Sequence, residues 1–142
     1  MALSPDELRA RLTQLLERRP EVLEAYLFGS RAQGRGQPHS DVDVAVYAAP
    51  LPEAPFGYAA ELAADLMSGL GENRVDVVLL HRAPPLLYHR VLRDGVRLFA
   101  RDLRATTARE GAALSRYCDY RLQLVKIDRA LAARVDRSEF GR

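Results

Sequence analysis

Three aspartates and one glycine–serine pair carry the chemistry in this chain. Asp41, Val42 and Asp43 open a stretch, Asp41–Tyr47, that alternates cleanly between Val42, Val44, Val46 on one side and Asp41, Asp43, Ala45, Tyr47 on the other. Carboxylates at i and i+2 of a strand share a face, about 7 Å apart along the chain. Two like charges on one face repel, and folding tolerates them when something positive arrives. Mg²⁺ is the natural counterion, because hard carboxylate oxygens with open water positions suit it. Asp76 stands between Val75 and Val77 in an otherwise apolar strand, where a lone carboxylate is expensive to bury without a partner. Three such carboxylates at one sheet edge would form a two-metal phosphoryl-transfer site. Gly29-Ser30 precedes Asp41 by ten intervening residues and follows the apolar run Val22–Phe28. Gly permits close backbone approach and an unusual φ, while backbone N–H groups and the Ser30 hydroxyl are donors suited to phosphate oxygens. The order reads as phosphate cradle, loop, metal-binding strand.

The surrounding pattern must hold these residues in place. Ser4-Pro5-Asp6-Glu7 spells a helix start, with Ser4 as N-cap, Pro5 at N1 and Glu7 at N3. Leu8, Leu12, Leu15 and Leu16 continue it at helical spacing until Pro20. Val22–Phe28 predicts a buried strand, and residues 31–40 a loop or short helical turn, with Gly29-Ser30 placed to open a helix. Pro50, Pro52 and Pro55 predict a stiff connector. Helix is expected from Phe56 to Leu70 with Gly71 at its end, then a buried strand at 75–80. A helix opening at Pro84-Pro85 and closing at Asp94-Gly95 follows, then a last strand at Val96–Phe99. From Leu103 to about Val135 only Gly111 disfavours helix, giving about 50 Å if unbroken. Leu114, Tyr117, Leu124, Leu131 and Val135 mark an apolar seam along it, interrupted by Arg121 and Asp128. A 100-residue core of about 26 Å diameter cannot cover such a helix, so part of it is expected to project or to pack on a partner. Residues 1–100 therefore read as the core, and 101–142 as a long C-terminal helix of the same single domain that serves as a partner or dimer interface.

Composition excludes several alternatives. The chain has 142 residues, 48% apolar and 28% charged, as in an ordinary globular protein of one domain. No apolar run spans a membrane, and the N-terminus shows neither a basic n-region nor an apolar h-region, so no leader and no membrane association are expected. One cysteine, Cys118, rules out an intramolecular disulfide and a Cys-based zinc site. His39, His81 and His89 share no ligand spacing. A reducing, cytoplasmic setting is expected. Net charge is −2 over residues 1–100 and +4 over 101–142, too small a bias to indicate direct nucleic-acid binding.

Gly29-Ser30, ten residues, then Asp41-x-Asp43 resembles the signature of the polymerase-beta-type nucleotidyltransferase superfamily. Leu27-Phe28-Gly29-Ser30-Arg31-Ala32, Ser40 before Asp41, and Val75-Asp76-Val77-Val78 are similar to the minimal nucleotidyltransferases (MNT), including the MntA-like antitoxins of HEPN/MNT toxin–antitoxin pairs. The likeness covers about residues 5–135 and implies an α/β fold of the α+β type: a mixed β-sheet with flanking helices. It implies Asp41, Asp43 and Asp76 as catalytic, metal-binding carboxylates for two Mg²⁺ ions, with Mn²⁺ as a substitute. It further implies that Gly29, Ser30 and Arg31 hold the nucleotide, with ATP as substrate. The chain departs from the pattern at Gln33, where these proteins often carry Arg, leaving Arg31 or Arg35 to supply that charge. The implied activity is transfer of AMP from ATP to a tyrosine of a HEPN ribonuclease toxin, with the chain acting as antitoxin. Two alternatives stand beside it: a small-molecule nucleotidyltransferase of the aminoglycoside kind, its acceptor pocket completed by a homodimer, and a non-catalytic protein that masks its toxin.

Overall fold

The computed structural model describes residues 3–34 and 40–140, the last four of these by backbone alone. Arg35, one of the two arginines expected to offset Gln33, lies outside the described residues. Helix α1 (Pro5–Glu17) starts where the capping box predicts. The Ser4 N–H donates to the Glu7 carboxylate, and the Glu7 N–H donates to Ser4 Oγ, both at 3.2 Å. Strands β1 (Val22–Phe28) and β2 (Val42–Ala48) follow. Helix α2 (Tyr58–Leu70) ends at Gly71, whose φ of 70° lets its N–H turn back to the Met67 carbonyl at 2.9 Å. Then come β3 (Val75–Leu79), a 3₁₀ turn at Leu80–Arg82 that the sequence pattern did not separate from the strand, α3 (Pro85–Asp94), β4 (Val96–Ala100) and α4 (Leu103–Phe140). Gly111 does not interrupt α4; it sits exposed in mid-helix, where it costs only propensity.

The four strands lie in the order β3-β2-β1-β4. β1 is antiparallel to both neighbours, and β2 runs parallel to β3, so the sheet is mixed as expected. The parallel pair is joined through α2, the crossover that parallel neighbours require. One face packs Val22, Leu27, Val42, Val44 and Val46 against Leu8, Leu12 and Leu16 of α1 and Leu62, Leu66 and Leu70 of α2. The other face packs Tyr26, Phe28 and Ala45 against Tyr88 and Val91 of α3 and Ala113 of α4.

α4 has two parts with different surroundings. Its root is pinned by Glu24, a fully buried carboxylate in the middle of β1. The Thr106 hydroxyl donates to Glu24 at 2.8 Å, and the Arg109 guanidinium makes a two-pronged ion pair with the same group. Arg109 also lies over the Tyr47 ring, 4.6 Å from its centroid. Further along, His89 of α3 stacks on Tyr117 at 3.6 Å. Beyond that contact the helix leaves the body, and residues 121–136 are all exposed. At 1.5 Å per residue this arm is about 24 Å long. Leu122, Leu124, Val125, Ile127 and Leu131 are each 40–61% exposed along it. No described helix is long and apolar enough to cross a membrane.

Arg109→Ala should destabilise the chain by roughly 3 kcal/mol in urea denaturation, because it strands a buried carboxylate without its cation. The paired change Glu24→Met, Arg109→Met should recover most of that loss. Equal destabilisation by both variants would show that the ion pair itself, and not the stranded charge, sets the cost.

Candidate active site

β1 delivers the chain to the site and β2 and β3 supply its carboxylates. Phe28, the last residue of β1, pairs with Asp43 of β2, and Asp43 pairs with Asp76 of β3. The three stand in one row across the sheet, on the face that carries Tyr26 and Ala45. In-register neighbours on adjacent strands are about 4.8 Å apart at the backbone, so Asp43 and Asp76 are side by side. Asp41, two residues before Asp43, shares that face just ahead of the strand. Arg74 Nη1 lies 3.8 Å from Asp41 Oδ1, with both side chains open to water.

The acidic row is electrostatically strained. Asp43 is half-buried, and its carboxyl is pushed up from 3.8 to about 6, first by burial, then by the charges of Asp76 and Asp41. Asp76 corrects one expectation. β3 is the edge of the sheet and the Asp76 side chain is exposed, so it carries none of the burial cost that its apolar neighbours suggested. Water on the open edge solvates it.

Gly29 follows Phe28 with φ of 76°, a left-handed backbone conformation that β-carbons disfavour. A Cβ at this position would collide with Asp43 Oδ2. The glycine therefore serves two ends: it turns the chain out of β1, and it leaves the acidic row uncovered. Ser30 is exposed beside it. The expected helix start does not form here among the described residues. Instead, the Ala32 and Gln33 N–H groups close single turns onto the Gly29 and Ser30 carbonyls at 3.2 and 3.3 Å.

Arg31 takes a place that spacing alone did not indicate. It is 7% exposed, donating to the Ser40 carbonyl at 3.1 Å and pairing with Glu72 at 3.3 Å. Both terminal nitrogens of its guanidinium are thus engaged by protein groups. Glu24 is a buried charged group that the sequence pattern did not single out. Its signal was present, a glutamate inside an apolar strand, but nothing local pointed to Arg109.

The donor set fits a divalent cation bound together with a polyphosphate. Among the described residues, no three His, Cys, Asp or Glu side chains gather tightly enough to hold an ion unaided. Mg²⁺ characteristically takes one or two carboxylates and completes its shell with water and phosphate oxygens. Burial first, and then the charges of Asp76 and Asp41, raise the Asp43 carboxyl, and such a cation would relieve the repulsion; the missing Cβ at Gly29 is what lets that carboxylate lie against the end of β1.

A mixed sheet with two aspartates in register beside a left-handed glycine, and a third aspartate two residues before one of them, is the arrangement that a polymerase-beta-type nucleotidyltransferase would need. The family described as Polymerase beta, Nucleotidyltransferase matches residues 10–104, more than half of the chain, and the chain belongs to it. It is similar to a chain of a toxin–antitoxin crystal structure with AMP-PNP: 29% identical, covering 87% of this chain and 98% of that one, TM-score 0.73. It is also similar to a chain of the MntA–HepT toxin–antitoxin, at 26% identity, 87% and 97% coverage and TM-score 0.67. A complex of tri-AMPylated Shewanella oneidensis HEPN toxin with MNT antitoxin matches at 26% identity, 89% and 98% coverage and TM-score 0.69. No curated protein matches the chain. This protein is thus a nucleotidyltransferase with the build of the MNT antitoxins over nearly its whole length.

The raised Asp43 carboxyl has a measurable consequence in the metal-free protein. Folding holds its pKa above the unfolded value, so its stabilising contribution is whole below about pH 4 and is lost as pH rises through about 6. Asp43→Asn should therefore raise stability at pH 8, by about 1 kcal/mol after allowing for solvent screening of a half-buried group, and the gain should vanish at pH 4. Thermal melts of both proteins at the two pH values check this. An equal shift at both would assign the effect to packing.

Proposed function

We propose that this chain is a protein adenylyltransferase antitoxin that moves AMP from ATP to a tyrosine hydroxyl of a HEPN-type ribonuclease toxin. The observation that carries the reading is the in-register pair Asp43 and Asp76 beside Gly29. The likeness to toxin–antitoxin structures, one with AMP-PNP and one with a tri-AMPylated toxin, supports the nucleotide and the acceptor.

Asp41 and Asp43, joined by Asp76, are the residues that would hold two Mg²⁺ ions, or Mn²⁺ in their place. Bound there, the metal would neutralise triphosphate charge and favour ionisation of the acceptor hydroxyl. Gly29 lets the triphosphate come close to the backbone at the end of β1. The exposed Ser30 hydroxyl donates to a phosphate oxygen. The acceptor oxygen bonds to the α-phosphorus while the bond from that phosphorus to the bridging oxygen of pyrophosphate breaks on the opposite side. Asp76, open on the sheet edge, takes the proton that the acceptor loses. Its exposure suits that role, since a base on an edge strand is reachable by a side chain carried on another protein.

The partner docks on the projecting arm of α4. Leu124, Ile127 and Leu131 would otherwise leave apolar surface in water, and at about 25 cal/mol per Å² their burial is a substantial driving force. The toxin is the occupant we favour, because several of the structures the chain resembles are toxin–antitoxin complexes. The lone cysteine Cys118, an exposed free thiol, suits a cytoplasmic place of action.

Two outcomes test the proposal. With ATP labelled at the α-phosphate, Mg²⁺ and the co-expressed toxin, label should appear on the toxin, and Asp43→Asn should lower transfer by at least about 10²-fold. Label on a small molecule instead, or undiminished transfer by the variant, would overturn the reading. Leu124→Asp with Leu131→Asp should abolish co-elution with the toxin while ATP binding measured by calorimetry persists, since charge buried in an interface without a partner is costly. Co-elution at wild-type affinity would place the toxin elsewhere, and a shift of the isolated chain from dimer to monomer would identify a second copy as the occupant.

A further inference from the structure

The loop between α2 and β3 grips both ends of the nucleotide loop, and Arg31 is the clasp. Arg31 leaves the Gly29-Ser30 turn and reaches the far end of the same loop, donating to the Ser40 carbonyl at 3.1 Å. Its other terminal nitrogen pairs with Glu72, one residue past Gly71, at 3.3 Å. Both side chains are largely buried, at 7% and 15% exposure. The Val42 N–H then donates to the Arg74 carbonyl at 3.0 Å, and the Arg74 guanidinium faces Asp41. Residues 72–74 thus touch the loop at Arg31, at Asp41 and at Val42.

We infer that Glu72 and Arg31 are positioning residues for nucleotide binding. Glu72 holds the Arg31 fork, and the fork ties the Ser30 end of the loop to the Ser40 end, setting the distance between the phosphate-facing turn and the acidic row. A loop whose ends are free samples many separations, and restricting them before ATP arrives removes that cost from binding. Only a planar guanidinium serves a carbonyl and a carboxylate at once from fixed directions. Glu72 completes the arrangement, because a buried guanidinium without its carboxylate would turn out to water and let go of the Ser40 end. The αL turn at Gly71 aims this loop back at the site.

The inference rests on the proposed ATP-binding role of the Gly29 turn and opposes the direct nucleotide contact that the resemblance implies for Arg31. The two roles give opposite signs. If Arg31 is the clasp, Glu72→Ala loosens the loop, and ATP affinity falls about 10-fold by calorimetry. If Arg31 is itself a phosphate ligand, removing Glu72 frees it and affinity holds or rises, which overturns the inference. Arg31→Lys keeps the charge but loses the fork. It should raise KM for ATP several-fold with kcat for toxin labelling much less affected, and with Tm close to wild type. A lowered Tm with unchanged KM would mark the pair as merely structural and also overturn the inference. A readout free of ATP separates this from the functional reading. In nucleotide-free protein, amide exchange at residues 30–34 and 40–42 should quicken in both variants, with α1 and α4 unchanged. Wild-type protein that binds no ATP would remove the proposed function while leaving the clasp to be judged by exchange; unaltered exchange in both variants would remove the clasp.

Discussion

One face of this sheet has no room for charge. Val22, Leu27, Val42, Val44 and Val46 are sealed under α1 and α2, and each is fully buried. Side chains alternate along a strand, so every ionised group in β1, β2 and β3 must emerge on the opposite face. Glu24, Asp43 and Asp76 share that face, since Val75, Val77 and Leu79 of β3 also pack toward the sealed side. Much of the rest of the molecule is arranged around how each of these charges is met.

The two ends of the face meet the requirement in different ways. Glu24 lies deep, where water cannot reach, and the chain itself supplies its partners through Thr106 and Arg109. That solution draws the root of α4 across the sheet and fixes the direction in which the arm leaves the body. The acidic row lies at the rim, and no protein cation pairs with Asp43 there among the described residues. Its charge is left for something that arrives from solution. A carboxyl raised by burial and by its acidic neighbours costs stability in the empty protein, and a cation bound beside it would relieve the repulsion. Stability is given up where binding needs it.

The same division separates two of the described arginines near the site. Arg74 sits in water opposite Asp41, a weak exposed pair that a cation or a nucleotide can displace. Arg31 is buried between the Ser40 carbonyl and Glu72, where displacement would strand charge. Burial, not proximity in sequence to Ser30, decides which of the two is mobile in function and which is part of the frame.

The sequence by itself determined everything that depends on near neighbours: the capped start of α1, the alternation of β2, the glycine endings of β1 and α2, the long run of α4, and the shared side of Asp41 and Asp43. These follow from torsional preferences and local hydrogen bonds, which act within a few residues. The motif was legible for the same reason, since Gly29, Ser30, Asp41 and Asp43 lie on consecutive elements. The register that sets Asp76 beside Asp43, the edge position that leaves Asp76 in water, and the partners of Arg31 and Glu24 were decided only by tertiary structure. Arg31 meets Glu72 across 41 residues and Glu24 meets Arg109 across 85. Such pairs form because packing both faces of the sheet leaves one register and one helix placement that bury apolar side chains without stranding a charge, and that condition is a property of the assembled layers, not of any segment within them.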